Sequence, residues 1–377
     1  MAPVLRKLLV WTFVVLGTIS ATTLSHAENA ASGETAFEAV VVAGGFEHPW
    51  GLAFLPDGRM LVTERPGRLR VVTAKGEVSD PVSGLPEVFG LGQGGLLDVI
   101  LHPDHASNGW IYMSYARPAD AGHRTAVLRA RLVETALRDV ETIFVAKNPN
   151  SGGRHFGSRL AFGRDGKLYV SVGERGSPDQ AQNLSNHNGT VLRLNDDGSI
   201  PADNPFIDRK GALPSTFTYG HRNPQGMAVH PDRGEIWVHE HGPKGGDEVN
   251  LLKAGANFGW PLVTFGRSYA GFSIGEGSSK PGLAAPLHHW TPSIAPSGMT
   301  FYTGDAFPAW RGNLFVGSLK FRYLARMVLD GTRVVSEERL LEDQFGRVRD
   351  VRQGPDGLIY LLSDENDGQL VRLQPAS

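Results

Sequence analysis

The sequence predicts an all-β protein, a six-bladed β-propeller with four-stranded antiparallel blades. Three observations carry the prediction. The 377 residues include 47 glycines and 24 prolines with few long helical patterns, a composition of short strands and many turns. A unit built from an apolar pair, a turn carrying Asp-Gly or its equivalent, and an alternating strand recurs six times, starting at Gly51, Leu97, Arg159, Gly226, Gly298 and Asp350. Regular hairpins at that spacing suit a ring, because radial repetition removes long exposed edges.

The elements follow in chain order. A basic start with Arg6 and Lys7, an apolar run from Leu8 and a small-residue exit at Ser25-His26-Ala27 describe a secretory signal peptide over residues 1–27. The run is interrupted by Thr12, Gly17, Thr18, Ser20, Thr22 and Thr23, which is poor for a membrane span. Residues 28–377 are then one exported propeller domain with no membrane span left after cleavage, periplasmic or secreted. The strand Phe37–Ala43 is expected to join the last blade and close the ring. Each copy is a hairpin, since Asp-Gly between alternating apolar runs signals a tight turn. Leu69–Val72, Ala126–Arg131, Tyr323–Leu329 and Leu370–Leu373 supply further strands of the blades. The insertions Glu141–Arg154, Gly176–Pro214 and Leu262–Pro296 are expected to gather at one mouth of the central channel, where a ligand would sit.

Composition restricts the chemistry. Lys plus Arg number 37 against 39 Asp plus Glu, and no basic stripe accumulates, so nucleic acid is not an expected partner. There are no cysteines, which excludes disulfides and thiolate metal sites. Any metal must be held by oxygen or imidazole.

Polar groups concentrate at the edges of the predicted inner strands. Gln93 lies among glycines before the second copy, and His155 before the third, with Glu174 at that copy's far end. A carboxylate on one imidazole nitrogen fixes the tautomer that base catalysis needs. Arg222 and Asn223 precede the fourth copy, and His239, Glu240, His241, Gly242 and Pro243 follow it. His239 and His241 share a strand face and are a geometry for zinc, although no third ligand is evident. Exposed glycine and proline carbonyls beside acids are instead a start for calcium. With Lys320 and Arg222, the pair Arg347 and Arg349 makes a four-cation cluster that calls for a polyanion.

The stretches HPWGLAFLPDGRMLVTERPG, GQGGLLDVILHP, HFGSRLAF, NGTVLRLNDDGSIPADNPF, HRNPQG, HEHGPKGGDEVN and RVRDV occur in order from His48. They resemble the aldose sugar dehydrogenase branch of the soluble quinoprotein glucose dehydrogenases over essentially the whole predicted mature chain. The resemblance implies pyrroloquinoline quinone and Ca²⁺ at the channel mouth, an aldose substrate oxidised at C1 to a lactone, and an external electron acceptor. It implies that His155 is the base, paired with Glu174 where glucose-specific members carry aspartate. Arg222 then polarises the quinone carbonyl together with Ca²⁺. Gln93, Arg222, Asn223, Lys320, Arg347 and Arg349 match cofactor contacts, the carbonyls of Gly242 and Pro243 match calcium ligands, and Tyr302 is placed on the substrate side. Asp247 and Glu248 lie in the same motif without an assigned role. A calcium-dependent propeller hydrolase or lactonase and a non-catalytic binding propeller are the alternatives. The first calls for carboxylates around the ion in place of Gly-Pro carbonyls.

Overall fold

The computed structural model describes residues 28–32, 35–147 and 149–376. The proposed signal peptide lies outside them. Six antiparallel sheets stand around a central channel, the first five running from an innermost strand outward in sequence order. Blade 1 comprises Pro49–Phe54, Met60–Glu64 and Arg68–Val72, with its fourth position reduced to a single bridge between Val72 and Val78. Blade 2 comprises Leu96–Leu101, Trp110–Ala119, Gly122–Val133 and Ala136–Val145, and blade 3 Leu160–Phe162, Leu168–Val172, Thr190–Leu194 and Thr216–Tyr219. Blade 4 is Pro224–Val229, Ile236–Glu240, Asp247–Leu251 and His288–Trp290, and blade 5 Pro296–Phe301, Leu314–Ser318, Leu324–Asp330 and Arg333–Leu340. Blade 6 joins Val348–Gln353, Ile359–Ser363 and Gly368–Pro375 to the N-terminal strand Thr35–Phe46, which also pairs with Glu28–Ser32. The ring closes as predicted, with one strand from the start of the chain completing the blade built at its end.

Burial explains why the repeat is visible in sequence. The second strand of blades 1, 3, 4, 5 and 6 is buried at every position, because both faces of a blade pack against neighbours. The outermost strand of blade 5 is mostly exposed or half-buried, so it carries little apolar signal. Between blades 5 and 6 the core includes Phe37, Trp310, Phe315, Val351 and Val371, and between blades 1 and 2 Leu61, Leu96, Ile111 and Met113.

One turn recurs at the end of the hairpins opposite the mouth. Leu55 N donates to Arg59 O and Gly58 N to Leu55 O, while Asp57 accepts from Arg59 N. Gly163–Lys167 and Gly354–Leu358 repeat the pattern with Asp165 and Asp356. The glycine takes positive φ in each, at Gly58, Gly166 and Gly357, the conformation glycine adopts without steric cost.

Buried charges cross the channel. Asp98 on blade 2 accepts from Arg159 of blade 3 at 3.0 Å and Arg352 of blade 6 at 2.7 Å. Asp350 accepts from the same two arginines at 2.9 Å each. Arg159 also donates to Gln225 O of blade 4 and lies 4.2 Å from the centre of the Trp50 ring of blade 1. This knot ties five blades together below the mouth.

The insertions are sorted by strand direction. Residues 176–189 lie at the mouth, whereas 195–215 join the third and fourth strands of blade 3 at the other end, so that part of the expected gathering does not occur. The segment just ahead of the third insertion lies against the outer strand of blade 3, where Asn257 bridges Tyr219, and the insertion itself reaches the mouth where Arg267 bridges Lys244.

Candidate active site

In an antiparallel hairpin the start of the first strand and the end of the second lie together. The mouth therefore collects Gln93, His155, Arg222, Asn223, Arg347 and Arg349 from strand starts. It collects Glu174, Gly242, Pro243 and Lys320 from strand ends. Two adjoining cavities of about 450 and 560 Å³ occupy it, sharing Gln93, His241 and Ala295. The inner basin is lined by Trp50, Arg65, Asn223, Arg347, Arg349 and Asp364, among others. The outer basin is lined by His155, Arg222, Gly242, Pro243, Tyr269 and Lys320, among others.

His155 is 8 % exposed, and its Nδ1 lies 2.7 Å from Glu174 Oε2. A carboxylate partner assigns the proton to Nδ1 and leaves Nε2 as the acceptor. Burial pushes the imidazole below its usual value; the Glu174 carboxylate works against this and Arg222 adds to it. The ring is thus neutral at pH 7, the form a base requires. His155 has φ 55°, and its backbone N–H donates to Gln93 Oε1 at 2.7 Å. The loop passes so close to Gly173 that a Cβ there would collide with His155 O. Glu174 N donates to Arg222 O, and its carboxylate also accepts from Gly176 N.

Arg222 Nη1 donates to Gly242 O at 2.7 Å and His241 O at 3.1 Å, and its guanidinium lies 5.3 Å from the centre of the Trp260 ring. Asn223 accepts from Gly157 N at 3.1 Å, bracing the loop that carries His155. Asp247 now has a place: it accepts from Gly242 N, Ala295 N and Ser293 Oγ, so it pins the Gly-Pro turn. Burial raises its carboxyl to about 6. Glu248 lies opposite Glu240 in blade 4; burial and the Glu240 charge raise it to about 8. Glu240 accepts from His221 Nδ1 and Arg222 N.

Arg349 donates to Asp364 at 2.6 Å and to Gln225 at 3.2 Å, and Arg347 approaches Asp364 at 3.5 Å. The four cations are thus not a bare cluster, because Asp364 answers two of them. Lys320 is exposed beside Phe321.

One expectation needs correction. Tyr302 is fully buried among Phe307, Trp310 and Phe315 and donates to Gly357 O. It follows the far end of the blade 5 inner strand, away from both basins, so it does not line the substrate side. His239 is buried inside the blade, packed over Gly226 and pushed down to about 3 by burial, while His241 Nε2 is spent on Pro296 O. Among the described residues no group of three or more His, Cys, Asp or Glu side chains could hold a metal ion, which removes the zinc geometry.

Sequence reasoning missed Arg65, Asp364 and Trp50 in the inner basin, and Lys244, Arg267 and Tyr269 in the outer one. Arg65 and Asp364 follow second strands just as Glu174 does, which was the available signal. The others are held by loop paths that no local pattern marks.

A family model described as glucose/sorbosone dehydrogenase matches residues 46–372. Aldose sugar dehydrogenase YliI of Escherichia coli (strain K12) is 45 % identical over 335 residues, covering 87 % of this chain and 90 % of the relative. Quinoprotein glucose dehydrogenase B of Acinetobacter calcoaceticus is 30 % identical over 450 residues, covering 96 % and 93 %. The solved PQQ-bound form of aldose sugar dehydrogenase (Adh) from Streptomyces coelicolor superposes with a TM-score of 0.74 at 29 % identity, covering 93 % of this chain and 99 % of that one.

Proposed function

Because this chain belongs to the glucose/sorbosone dehydrogenase family, we propose that it oxidises the anomeric C1 hydroxyl of aldoses to lactones, using pyrroloquinoline quinone and Ca²⁺. One observation carries the reading. The His155–Glu174 pair opens onto the same basin as Arg222, Lys320 and the Gly242-Pro243 turn, next to a basin holding Arg347 and Arg349.

The donor set suits both groups. Arginines and a lysine are the partners expected for a flat quinone with three carboxylates, and Arg349 Nε is buried without a partner. The carbonyls of Gly242 and Pro243 would give Ca²⁺ two hard oxygens, each through the lone pair not taken by Arg222 Nη1 or Ser293 Oγ, and the ion would also need oxygens from the quinone and water. Bound there, the quinone supplies the two-electron oxidising power, with the electrons leaving to an external acceptor.

This chain's own residues manage the proton and the charge. His155 Nε2 takes the proton of the C1 hydroxyl, Glu174 holds Nδ1–H and supports the imidazolium that forms, and Arg222 favours negative charge developing on oxygen nearby. Gln93 and Asn223 hold the His155 loop from either side. Among the described residues no helix is long and apolar enough to cross a membrane.

The test is reconstitution of the apoprotein with pyrroloquinoline quinone and Ca²⁺, followed by dye reduction with several aldoses. His155→Ala should lose about 10²–10⁴-fold in turnover while still binding the quinone. No reduction by the wild type with any sugar refutes the assignment.

A further inference from the structure

Three guanidiniums, not two, converge on Asp364. Arg349 Nη2 lies 2.6 Å from its carboxylate, Arg347 Nη2 3.5 Å, and Arg65 Nη2 3.8 Å. His48 Nδ1 takes up Asp364 Oδ1 at 2.8 Å. Among the described residues the only other acid lining the inner basin is Glu365, whose carboxylate accepts from the Arg347 backbone N–H at 3.1 Å. Three positive side chains therefore face two negative ones in a partly enclosed space. The imbalance has two visible marks. Nε of Arg65 and Nε of Arg349 are both buried without a partner, and unpaired buried donors are costly. Burial and repulsion from Arg349 and Arg347 push the Arg65 guanidinium below its usual range, and Asp364 offsets only part of this. A basin of this kind is completed by an anion with more than one acceptor oxygen.

We propose that Arg65 is a third arginine contact for a carboxylate of the bound quinone, sharing with Arg347 and Arg349 the charge that Asp364 leaves unmatched. The proposal rests on the quinone reading above. It also links cofactor and base, since Arg65 Nη1 donates to Gly92 O at 2.6 Å and the next residue, Gln93, holds the backbone N–H of His155.

The experiment is calorimetric titration of the Ca²⁺-supplemented apoprotein with pyrroloquinoline quinone, alongside thermal unfolding of the apoprotein without quinone. Arg65→Gln should bind the quinone roughly 10–100-fold more weakly, the loss expected for a charge-assisted hydrogen bond. Its apoprotein should melt close to the wild type, because relief of a partly unmatched charge offsets the loss of the hydrogen bond to Gly92 O. Arg65→Lys keeps the charge and loses the fork, so it should bind several-fold more weakly. Wild-type affinity in either variant overturns the proposal, and so does weak binding of Arg65→Gln accompanied by an equally marked loss of apoprotein stability. A wild-type protein that fails to bind the quinone overturns the functional reading itself, a result distinct from normal wild-type binding that Arg65 substitutions leave unchanged.

Discussion

Exchange of one carboxylate for its amide at Glu174 tests the proposed base in detail. Glu174 is 1 % exposed, and its Oε2 accepts from both His155 Nδ1 at 2.7 Å and the Gly176 backbone. Glu174→Gln preserves size and leaves an oxygen able to accept from both donors, so the fold and the Nδ1–H tautomer persist. What disappears is the charge opposite the imidazolium that forms as His155 takes a proton. A hydrogen bond to a charged group contributes about 1.5–3 kcal/mol and a neutral one about 0.5–1.5 kcal/mol. The difference, about 1–2 kcal/mol, corresponds to roughly 5–30-fold in turnover. The pH profile supplies the second readout. Glu174 is the main influence that raises the His155 pKa against burial. Removing its charge lowers that pKa further, so the acid limb of activity should move to lower pH. Steady-state dye reduction by the reconstituted protein, measured across the acid range, reads both effects. A Glu174→Gln variant with wild-type turnover and an unmoved acid limb would refute the pairing. Glu174→Ala should cost more, since it leaves two buried N–H donors without an acceptor.

Further outcomes test the fold beneath the site. Asp98→Ala leaves Arg159 and Arg352 sharing Asp350 alone in the channel knot and should destabilise by about 3–5 kcal/mol; an unchanged denaturant midpoint would show that the knot is not needed. Tyr302→Phe leaves Gly357 O and Phe307 N without their hydroxyl partner and should cost about 1–3 kcal/mol of stability with turnover unaffected. A selective loss of turnover would return Tyr302 to the site. Burial lowers His187 to about 4, so its neutral form stabilises the fold fully above the unfolded value of about 6.5, and this is lost as pH falls from there toward 4. The contribution is about 3 kcal/mol. His187→Gln should flatten the fall in denaturant midpoint between neutral and acid pH, and an unaltered slope would count against it.

How much was legible depended on whether a residue's role was local. The hairpins were readable because a second strand buried on both faces must be apolar, and because the turn at Asp57-Gly58 needs both an Asp side chain and a positive φ. His155, Arg222 and Arg349 were singled out as polar groups at predicted strand edges, and the structure brings all three to one mouth. Tyr302 was misplaced since it follows an inner strand by one residue at the end away from the mouth, and an aromatic there has the same local pattern as one at the mouth. Arg65 was passed over because an arginine after a strand reads as a solvated charge until its partners from blade 6 are known.

Strand periodicity, turn chemistry and the repeat are short-range properties, and the sequence alone determined the all-β class, the six-fold repetition and the strand that closes the ring. The meeting of Arg65, Arg347 and Arg349 on Asp364, and the crossing of Asp98, Arg159, Asp350 and Arg352, join residues hundreds of positions apart. Only closure of the ring brings them within ion-pair or hydrogen-bond distance of one another. The tertiary structure therefore decided which charges are matched, which are left short of a partner, and at which end of the channel the proposed site residues gather.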